Sequence, residues 1–164
     1  MLFDVDGVLT DGRLVYGGGG EELKVFHVRD GLGMKLAQRA GLKVGILSGR
    51  ESGALASRAR ELGLDCAIVG RTDKAAAFAE LLAAQRTAAE RVAYAGDDLV
   101  DLPVLLRCGL SFAPADAVPE VAARVDRLLE RPGGRGAARE MCEIVLKARG
   151  EWERLVGPFI ARGV

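Results

Sequence analysis

The stretch DVDGVLTDG at residues 4–12 places two aspartates, Asp4 and Asp6, one residue apart, where a short apolar strand predicted over residues 2–5 runs into a glycine turn. Groups at the carboxyl ends of parallel strands face the crevice where ligands bind, so both carboxylates can point at one reacting atom. Two carboxylates so close repel each other, and a Mg²⁺ ion relieves that repulsion while bringing a phosphate into its coordination sphere. The spacing therefore favours phosphate chemistry, although an isolated pair of this kind is more often a solvated turn.

The rest of the chain alternates between short apolar runs and segments with helical periodicity, which is typical of a doubly wound α/β fold. Besides the first strand, the sequence predicts strands over residues 43–47, 64–69, 91–95 and 110–113. It predicts helices from a cap at Asp30 to about Gly41, and over residues 51–62, 74–85, 99–107 and 137–148. Together these elements predict a Rossmann-like parallel sheet.

Two segments interrupt the alternation of strands and helices. Residues 13–28 predict a β-hairpin flap, with apolar residues on either side of a turn of four glycines at residues 17–20. Residues 131–136, RPGGRG, predict a loop that opens the last helix. Because no repeat or linker marks a second domain, residues 1–164 are expected to form a single domain, in which residues 131–164 provide a C-terminal loop, helix and tail.

The composition argues against several classes of function. The 164 residues are 49% apolar and carry 23 basic and 23 acidic side chains, which suffices for one core and leaves no charge excess that would indicate a nucleic-acid or membrane partner. No apolar run reaches the length of a membrane span and no leader opens the chain, so a cytoplasmic protein is expected. The three cysteines, Cys66, Cys108 and Cys142, lack zinc spacing, which favours reduced residues in the core.

Polar residues also follow the other predicted strands. Ser48, Gly49 and Arg50 follow the second strand and lead into a helix, where a hydroxyl and backbone amides favour a phosphate, although Ser48 alone would more often be a helix cap. Lys74 begins the next helix, where a cation opposes the helix dipole and so indicates a nearby anion. The GDDLVD stretch at residues 96–101 has three carboxylates, and this density needs a cation or hydrogen bonds to offset it.

These motifs, in this order, resemble the four motifs of the haloacid dehalogenase superfamily of phosphohydrolases. The resemblance implies that Asp4 is the nucleophile that forms an aspartyl-phosphate, and that Asp6 is the general acid and base. It also implies that Ser48 and Lys74 hold the phosphoryl oxygens.

The same resemblance implies a Mg²⁺ cofactor. Its protein ligands would be the Asp4 carboxylate, the Asp6 backbone carbonyl and Asp97, with Asp98 and Asp101 supporting those ligands. Catalysis of this kind depends chiefly on positioning and charge stabilisation, because phosphoryl transfer asks little covalent chemistry of the protein.

Features outside the four motifs point to one family within the superfamily, and this closer resemblance covers nearly the whole chain. The chain has no room for the cap domain that superfamily members acting on small metabolites usually carry. The segments GEELK at residues 20–24, VRDG at 28–31, SGR at 48–50 and GGRGAARE at 133–140 resemble the 3-deoxy-D-manno-octulosonate 8-phosphate phosphatase family. Such enzymes release phosphate from a sugar acid phosphate in lipopolysaccharide precursor synthesis, and the resemblance implies that activity here.

The family resemblance also implies a set of substrate-binding residues in addition to Asp6. They are His27, Val28, Arg29, Asp30, Gly31, Lys35, Gly49, Arg50, Arg58, Lys74 and Arg135. Position 27 departs from the family, in which Asn is expected. Each arginine alone is more often a solvated surface residue, but together they suit a small-molecule sugar acid that carries both a carboxylate and a phosphate.

A homotetramer is expected from the hairpin, which carries more apolar surface than a two-stranded ribbon can bury by itself. In the resembling family the hairpins form a central barrel, and the loop at residues 133–136 reaches an adjacent protomer's site, so that Arg135 would act in trans. The alternative is that this loop only opens the last helix and leaves Arg135 in solvent.

Three other functions are compatible with parts of this pattern. A phosphatase acting on a nine-carbon keto-deoxy sugar acid phosphate is expected to have acidic residues where Arg50 and Arg135 stand. A signalling receiver domain also uses acidic residues, a hydroxyl and a lysine, but its lysine comes last, whereas Lys74 here precedes Asp97. A non-catalytic regulatory domain is disfavoured because all four motifs are intact.

Overall fold

The computed structural model describes residues 1–161, which form a six-stranded parallel sheet and a separate antiparallel hairpin. The strands are β1 Leu2–Phe3, β2 Val15–Tyr16, β3 Glu22–Leu23, β4 Gly45–Leu47, β5 Cys66–Ile68, β6 Ala93–Ala95, β7 Leu110–Ala113 and β8 Arg127–Leu128. The order in the large sheet is β5-β4-β1-β6-β7-β8, and β2 pairs with β3 in the hairpin. The predicted doubly wound sheet with a hairpin flap and no cap domain is confirmed.

Helices connect the strands and cover the sheet. They are α1 Val28–Arg39, α2 Gly53–Leu62, α3 Lys74–Gln85, α4 Leu102–Leu105, α5 Pro119–Ala122, α6 Ala137–Ala148 and α7 Trp152–Ile160. Short 3-10 turns span Ala89–Arg91 and Leu99–Asp101. Every helix within residues 1–161 is too short or too polar to cross a bilayer. Residues 162–164 of the predicted C-terminal tail lie outside the described residues.

The core has one apolar layer on each face of the sheet, because successive strand residues point to opposite sides. Phe3 lies in one cluster with residues of α1, α2 and α6, whereas Leu2 lies in the other with residues of α3, α4 and α5. Trp152 and Leu155 of α7 pack with Leu36 and Leu146, next to the first layer. β1 pairs in parallel with both β4 and β6, so the loops that follow these three strands open at the same edge of the sheet.

Several predicted boundaries are wrong. α1 begins at Val28, which the hairpin prediction included, and not after a cap at Asp30, because the Asp30 carboxylate is buried and accepts the Arg139 amide of α6 at 2.7 Å. The single helix predicted over residues 99–107 is a 3-10 turn followed by α4, which carries Pro103 at its start. Most strands are shorter than predicted, and β8, α5 and α7 have no predicted counterpart, because they are very short or bury little.

The three cysteines are free thiols. Cys142 is fully buried in the α6 face of the core, and burial raises the pKa of its thiol to about 12. Cys66 and Cys108 are partly buried, and burial also raises the pKa of each thiol. All three are therefore protonated near neutral pH and act as small apolar side chains.

Candidate active site

Asp4 lies directly after β1 at the carboxyl end of the sheet, where it is only 6% exposed. Its backbone amide donates to the Ala95 carbonyl of β6 at 2.9 Å, which fixes the start of the loop. The Lys74 ammonium, at the start of α3, lies 2.8 Å from Asp4 Oδ1 and 2.6 Å from Asp101 Oδ1. The anion that the position of Lys74 indicated is thus a pair of buried aspartates in this structure.

The buried carboxylates carry more negative charge than the protein itself neutralises. Burial, and then the charge of Asp101, raises the pKa of Asp4 to about 7, while Lys74 opposes that rise. Burial, and then the charges of Asp4 and Asp101, raises the pKa of Asp97 to about 8. A bound divalent cation would favour the ionised form of both groups.

The donor set fits a Mg²⁺ ion. Asp4, Asp97 and Asp101 each offer a carboxylate oxygen, and these three oxygens lie within 4.8 Å of one another. Asp97 Oδ1 is buried and makes no hydrogen bond within residues 1–161. Because an unpartnered buried oxygen is costly and Mg²⁺ prefers oxygen ligands, this atom is well suited to hold the ion.

Asp101 differs from the other two because its oxygens already accept several hydrogen bonds. It is completely buried, and it accepts from Lys74, from the Tyr94 hydroxyl, and from the amides of Asp97 at 3.1 Å and Asp98 at 3.3 Å. Burial and the neighbouring Asp101 charge raise the pKa of Tyr94 well above its usual value, so the hydroxyl stays a donor. These bonds hold the loop that presents Asp97, which fits the supporting role implied for Asp101.

The hairpin folds over Asp6, a contact that the sequence reasoning missed. Lys24 Nζ lies 2.5 Å from Asp6 Oδ1 and 2.5 Å from Glu22 Oε1. Glu22 Oε2 accepts from Arg50 Nη2 at 2.9 Å, and the same nitrogen lies 3.3 Å from the Tyr16 hydroxyl. Glu22 and Lys24 are two residues apart, so a strand places them on one face, and that polar face is the signal that could have revealed the contact.

Ser48 follows β4, the neighbour of β1, and is 1% exposed. Its hydroxyl accepts the Arg50 amide at 3.2 Å, so it shapes a loop and is not a helix cap. α2 begins two residues later than predicted and is capped by Ser52, whose hydroxyl accepts the Leu55 amide at 3.2 Å. A helix does follow residues 48–50, but its predicted start at residue 51 is wrong, and the amides of residues 48–50 are loop amides.

The predicted substrate contacts at residues 27–31 lie at the start of α1, beside α2. His27, Asp30, Gly31 and Arg58 line a small cavity there, with His27 Nδ1 and Asp30 Oδ2 buried and lacking hydrogen-bond partners among residues 1–161. Arg58 lies over the Phe26 ring at 5.8 Å. Val28 and Arg29 at the same helix start are exposed.

Two further predicted substrate contacts, Lys35 and Arg135, take no part in the hydrogen bonds and ion pairs around the nucleophile among residues 1–161. The Lys35 ammonium lies near Gly63, at the end of α2 opposite to its Ser52 cap. Arg135 is exposed. In the described part of the chain, no hydrogen bond or ion pair joins Lys35, Arg58, Arg135 or the residue 27–31 side chains to Asp4, Asp6 or Lys74.

The loop before α6 packs on the turn that follows Asp6. The Gly134 amide donates to the Val8 carbonyl at 2.9 Å, and the Gly133 amide donates to Asp116 Oδ1 at 2.8 Å. A Cβ atom at Gly133 would lie 1.8 Å from the Gly7 carbonyl oxygen, so this close approach requires glycine. Within one copy of the chain, the loop therefore supports the turn of its own site.

Known proteins resemble this chain along nearly its whole length. The 3-deoxy-D-manno-octulosonate 8-phosphate phosphatase KdsC of Haemophilus influenzae is 47% identical over 151 residues, which cover 92% of this chain and 84% of that protein. The crystal structure of the corresponding phosphatase from Yersinia pestis has a TM-score of 0.90 at 43% identity, and the match covers 93% of this chain and 82% of that one. No protein-family model matches the chain.

This chain belongs to the 3-deoxy-D-manno-octulosonate 8-phosphate phosphatase family. A family structure from Moraxella catarrhalis, in complex with a magnesium ion, a phosphate ion and KDO, has a TM-score of 0.94 at 35% identity, covering 96% of this chain and 91% of that one. The family resemblance seen in the sequence is thus confirmed, whereas the wider superfamily assignment stays a prediction. Membership of this family also agrees with the cluster of carboxylate oxygens around Asp4 and Asp97.

Proposed function

We propose that this chain is a Mg²⁺-dependent phosphatase that hydrolyses 3-deoxy-D-manno-octulosonate 8-phosphate to the free sugar acid and phosphate. The observation that best supports the proposal is the buried Asp4 carboxylate, which pairs with Lys74 and lies close to the carboxylate of Asp97, in a chain of this family. A receiver or a non-catalytic domain has no comparable support.

In the proposed reaction, the Asp4 carboxylate attacks phosphorus and the bond from phosphorus to the sugar oxygen breaks. Asp6 gives its proton to the leaving alkoxide and, as a carboxylate, then takes a proton from the water that hydrolyses the aspartyl-phosphate. Lys74 holds positive charge beside Asp4, and Ser48 follows the neighbouring strand, from which it can donate to a phosphoryl oxygen.

The proposed Mg²⁺ ligands are the carboxylates of Asp4 and Asp97 and the backbone carbonyl of Asp6. When bound, the ion would supply positive charge to the phosphoryl oxygens. Asp101 supports this role because it accepts the amides of Asp97 and Asp98, and Gly7 leaves the space that the Asp97 side chain occupies.

The proposed specificity rests on Arg50, Arg58 and Arg135. Arg50 lies at the mouth of the site beside Asp6, with Nε 3.8 Å from Asp6 Oδ2. A bidentate contact from Arg to a substrate carboxylate or phosphate contributes about 1.5–3 kcal/mol, roughly ten- to a hundredfold in specificity. The eight-carbon substrate is therefore proposed over a nine-carbon analogue, for which acidic residues are expected at positions 50 and 135.

We also propose that the active form is a homotetramer. The hairpin exposes Leu14, Val15, Tyr16, Leu23 and Val25, each at least 44% exposed, which is more apolar surface than a small ribbon keeps in water. In this tetramer, the exposed Arg135 would complete the site of a neighbouring copy. We propose a cytoplasmic location for the protein as well.

The test of this function is phosphate release from a panel of sugar phosphates, with Mg²⁺ and with excess chelator. We expect the eight-carbon sugar acid phosphate to be preferred and chelator to abolish release. Asp4→Asn should leave almost no turnover while keeping the fold, because uncatalysed monoester hydrolysis is extremely slow. Near wild-type activity of Asp4→Asn, or full activity in chelator, would contradict the mechanism, and equal efficiency across the panel would contradict the substrate.

A further inference from the structure

Lys24 is a buried cation whose position neither the motifs nor the family comparison explains. Its side chain is 2% exposed, although it belongs to a hairpin whose other residues are largely in solvent. Its ammonium donates a hydrogen bond to Asp6 Oδ1 at 2.5 Å and forms an ion pair with Glu22 Oε1, also at 2.5 Å. Burial favours the neutral amine, but the hydrogen bonds to the two carboxylates outweigh it and raise the pKa of Lys24. The group is therefore a fixed positive charge near neutral pH.

The two oxygens of Asp6 have different surroundings. Oδ1 accepts from Lys24, and Thr10 Oγ1 also lies 3.5 Å from it. Oδ2 is buried but makes no hydrogen bond among the described residues, with Arg50 Nε at 3.8 Å. An ammonium group has only donors, so an oxygen bonded to it is disfavoured as the site of a carboxyl proton.

We propose that Lys24 is a positioning residue for Asp6: it holds Oδ1, so that Oδ2 carries the proton that is transferred in the reaction. This inference rests on the proposed function, in which Asp6 is the general acid and base. Lys24 acts on the rate only through Asp6, because it ties the carboxylate in one rotamer and leaves a single oxygen free to face the substrate. Glu22 supplies a second negative charge beside the ammonium, and this ion pair helps to keep Lys24 in place.

The test compares two substrates that differ in their need for a proton. An alkyl phosphate such as 3-deoxy-D-manno-octulosonate 8-phosphate leaves as an alkoxide and needs general acid catalysis, whereas p-nitrophenyl phosphate leaves as a stable anion. The ratio kcat/KM reports the steps up to phosphoenzyme formation, where only the alkyl substrate draws on the Asp6 proton. Lys24→Met should therefore lower kcat/KM for the sugar phosphate about tenfold or more, and by no more than the roughly 10²–10⁴-fold that such catalysis typically contributes, and it should lower kcat/KM much less for the aryl substrate.

Two further variants keep the test decisive. Lys24→Arg retains a charged donor, and it should recover part of the loss on the sugar phosphate while the aryl substrate changes little. Lys147→Met removes an exposed lysine that forms an ion pair with Glu143 and lies over the Trp152 ring, and it should leave both substrates at wild-type rates. Circular dichroism and thermal melts on each variant check that the fold is retained.

An equal fall on both substrates, or no fall on either, would overturn the role of Lys24. The first result would mean that Lys24 supports the fold or binds phosphate, and the second would mean that Asp6 needs no such anchor. These outcomes are distinct from failure of the proposed function, which would appear as absence of Mg²⁺-dependent release by the wild-type chain on both substrates.

Discussion

Gly7 lies where the loop after β1 passes Asp97, with a backbone φ of +93° that glycine adopts most easily. A Cβ atom there would lie 2.0 Å from Asp97 Oδ2. Gly7→Ala should therefore push Asp97 aside, weaken Mg²⁺ binding, and cost about 1–3 kcal/mol in stability through backbone strain. Calorimetric Mg²⁺ titration and urea denaturation measure both effects.

Gly18→Ala is the matched control, because nothing lies within 4 Å of a Cβ atom at that hairpin position and its φ is not positive. It should bind Mg²⁺ and unfold like the wild type. If Gly7→Ala matched this control in Mg²⁺ affinity, the packing between the loop and Asp97 would not govern the metal site.

The raised pKa values of Asp4, about 7, and Asp97, about 8, predict how the metal-free protein responds to pH. In the unfolded chain these carboxyls titrate near about pH 4, so between about pH 4 and 8 the folded chain holds more protons. The free energy of unfolding should therefore fall as pH rises through this window. Mg²⁺ binds the deprotonated folded form and should restore more stability at about pH 8 than at about pH 6.

Urea denaturation in chelator and in Mg²⁺, at both pH values, checks this expectation. Asp97→Asn should show a shallower decline in chelator and a smaller gain from Mg²⁺, because one of the two titrating groups is gone. A metal-free stability that rises toward alkaline pH would show that the burial of Asp4 and Asp97 is not what sets it.

At the scale of elements, Asp30 joins α1 to α6. α6 begins after Gly136, which has no side chain to cap it, and Asp30 Oδ1 supplies the cap by accepting the Arg139 amide at 2.7 Å. Burial raises the pKa of Asp30, and the amides of α6 act against that rise. The side chain predicted as a substrate contact is thus also a structural link between helices.

Asp30→Ala should lower the free energy of unfolding by about 0.5–2 kcal/mol, the usual cost of removing a helix cap, and loosen the loop before α6. Asp30→Asn keeps an acceptor oxygen and should retain most of that stability. Urea denaturation measures the difference, and equal stability of the alanine variant and the wild type would rule out a capping role.

At the scale of the whole molecule, the proposed tetramer predicts sites shared between chains. Asp4→Asn and Arg135→Ala subunits should each be nearly inactive alone, because one lacks the nucleophile and the other a substrate contact. Mixed tetramers should regain part of the activity, since some sites would combine an intact Asp4 with an intact Arg135 from a neighbouring copy. The measurement is phosphate release after subunit exchange.

Light scattering at the assay concentration gives the oligomeric state for the same samples. A fully active monomer, or no recovery after verified exchange, would show that Arg135 does not act in trans. In that case the loop over residues 133–136 would serve only to support the turn that follows Asp6 in the same chain.

The sequence by itself determined the sheet and the order of the site residues. Strands buried on both faces appear as short apolar runs, and the bounds predicted for residues 110–113, 74–85 and 137–148 agree with β7, α3 and α6. Asp4, Ser48 and Asp97 could be placed at one edge from the sequence, since parallel topology brings the carboxyl ends of neighbouring strands together.

Only the tertiary structure decided which side chains meet across that edge. Lys24 reaches Asp6 because the hairpin turns back over the site, and Asp30 caps a helix 109 residues away. The spacing of Glu22 and Lys24 marks a polar face of the hairpin, but it does not say which residue that face meets. Each contact depends on the packing of separate elements and not on the conformation of one. The same reason explains α7, which buries little more than Leu155 and owes its position to α1 and α6.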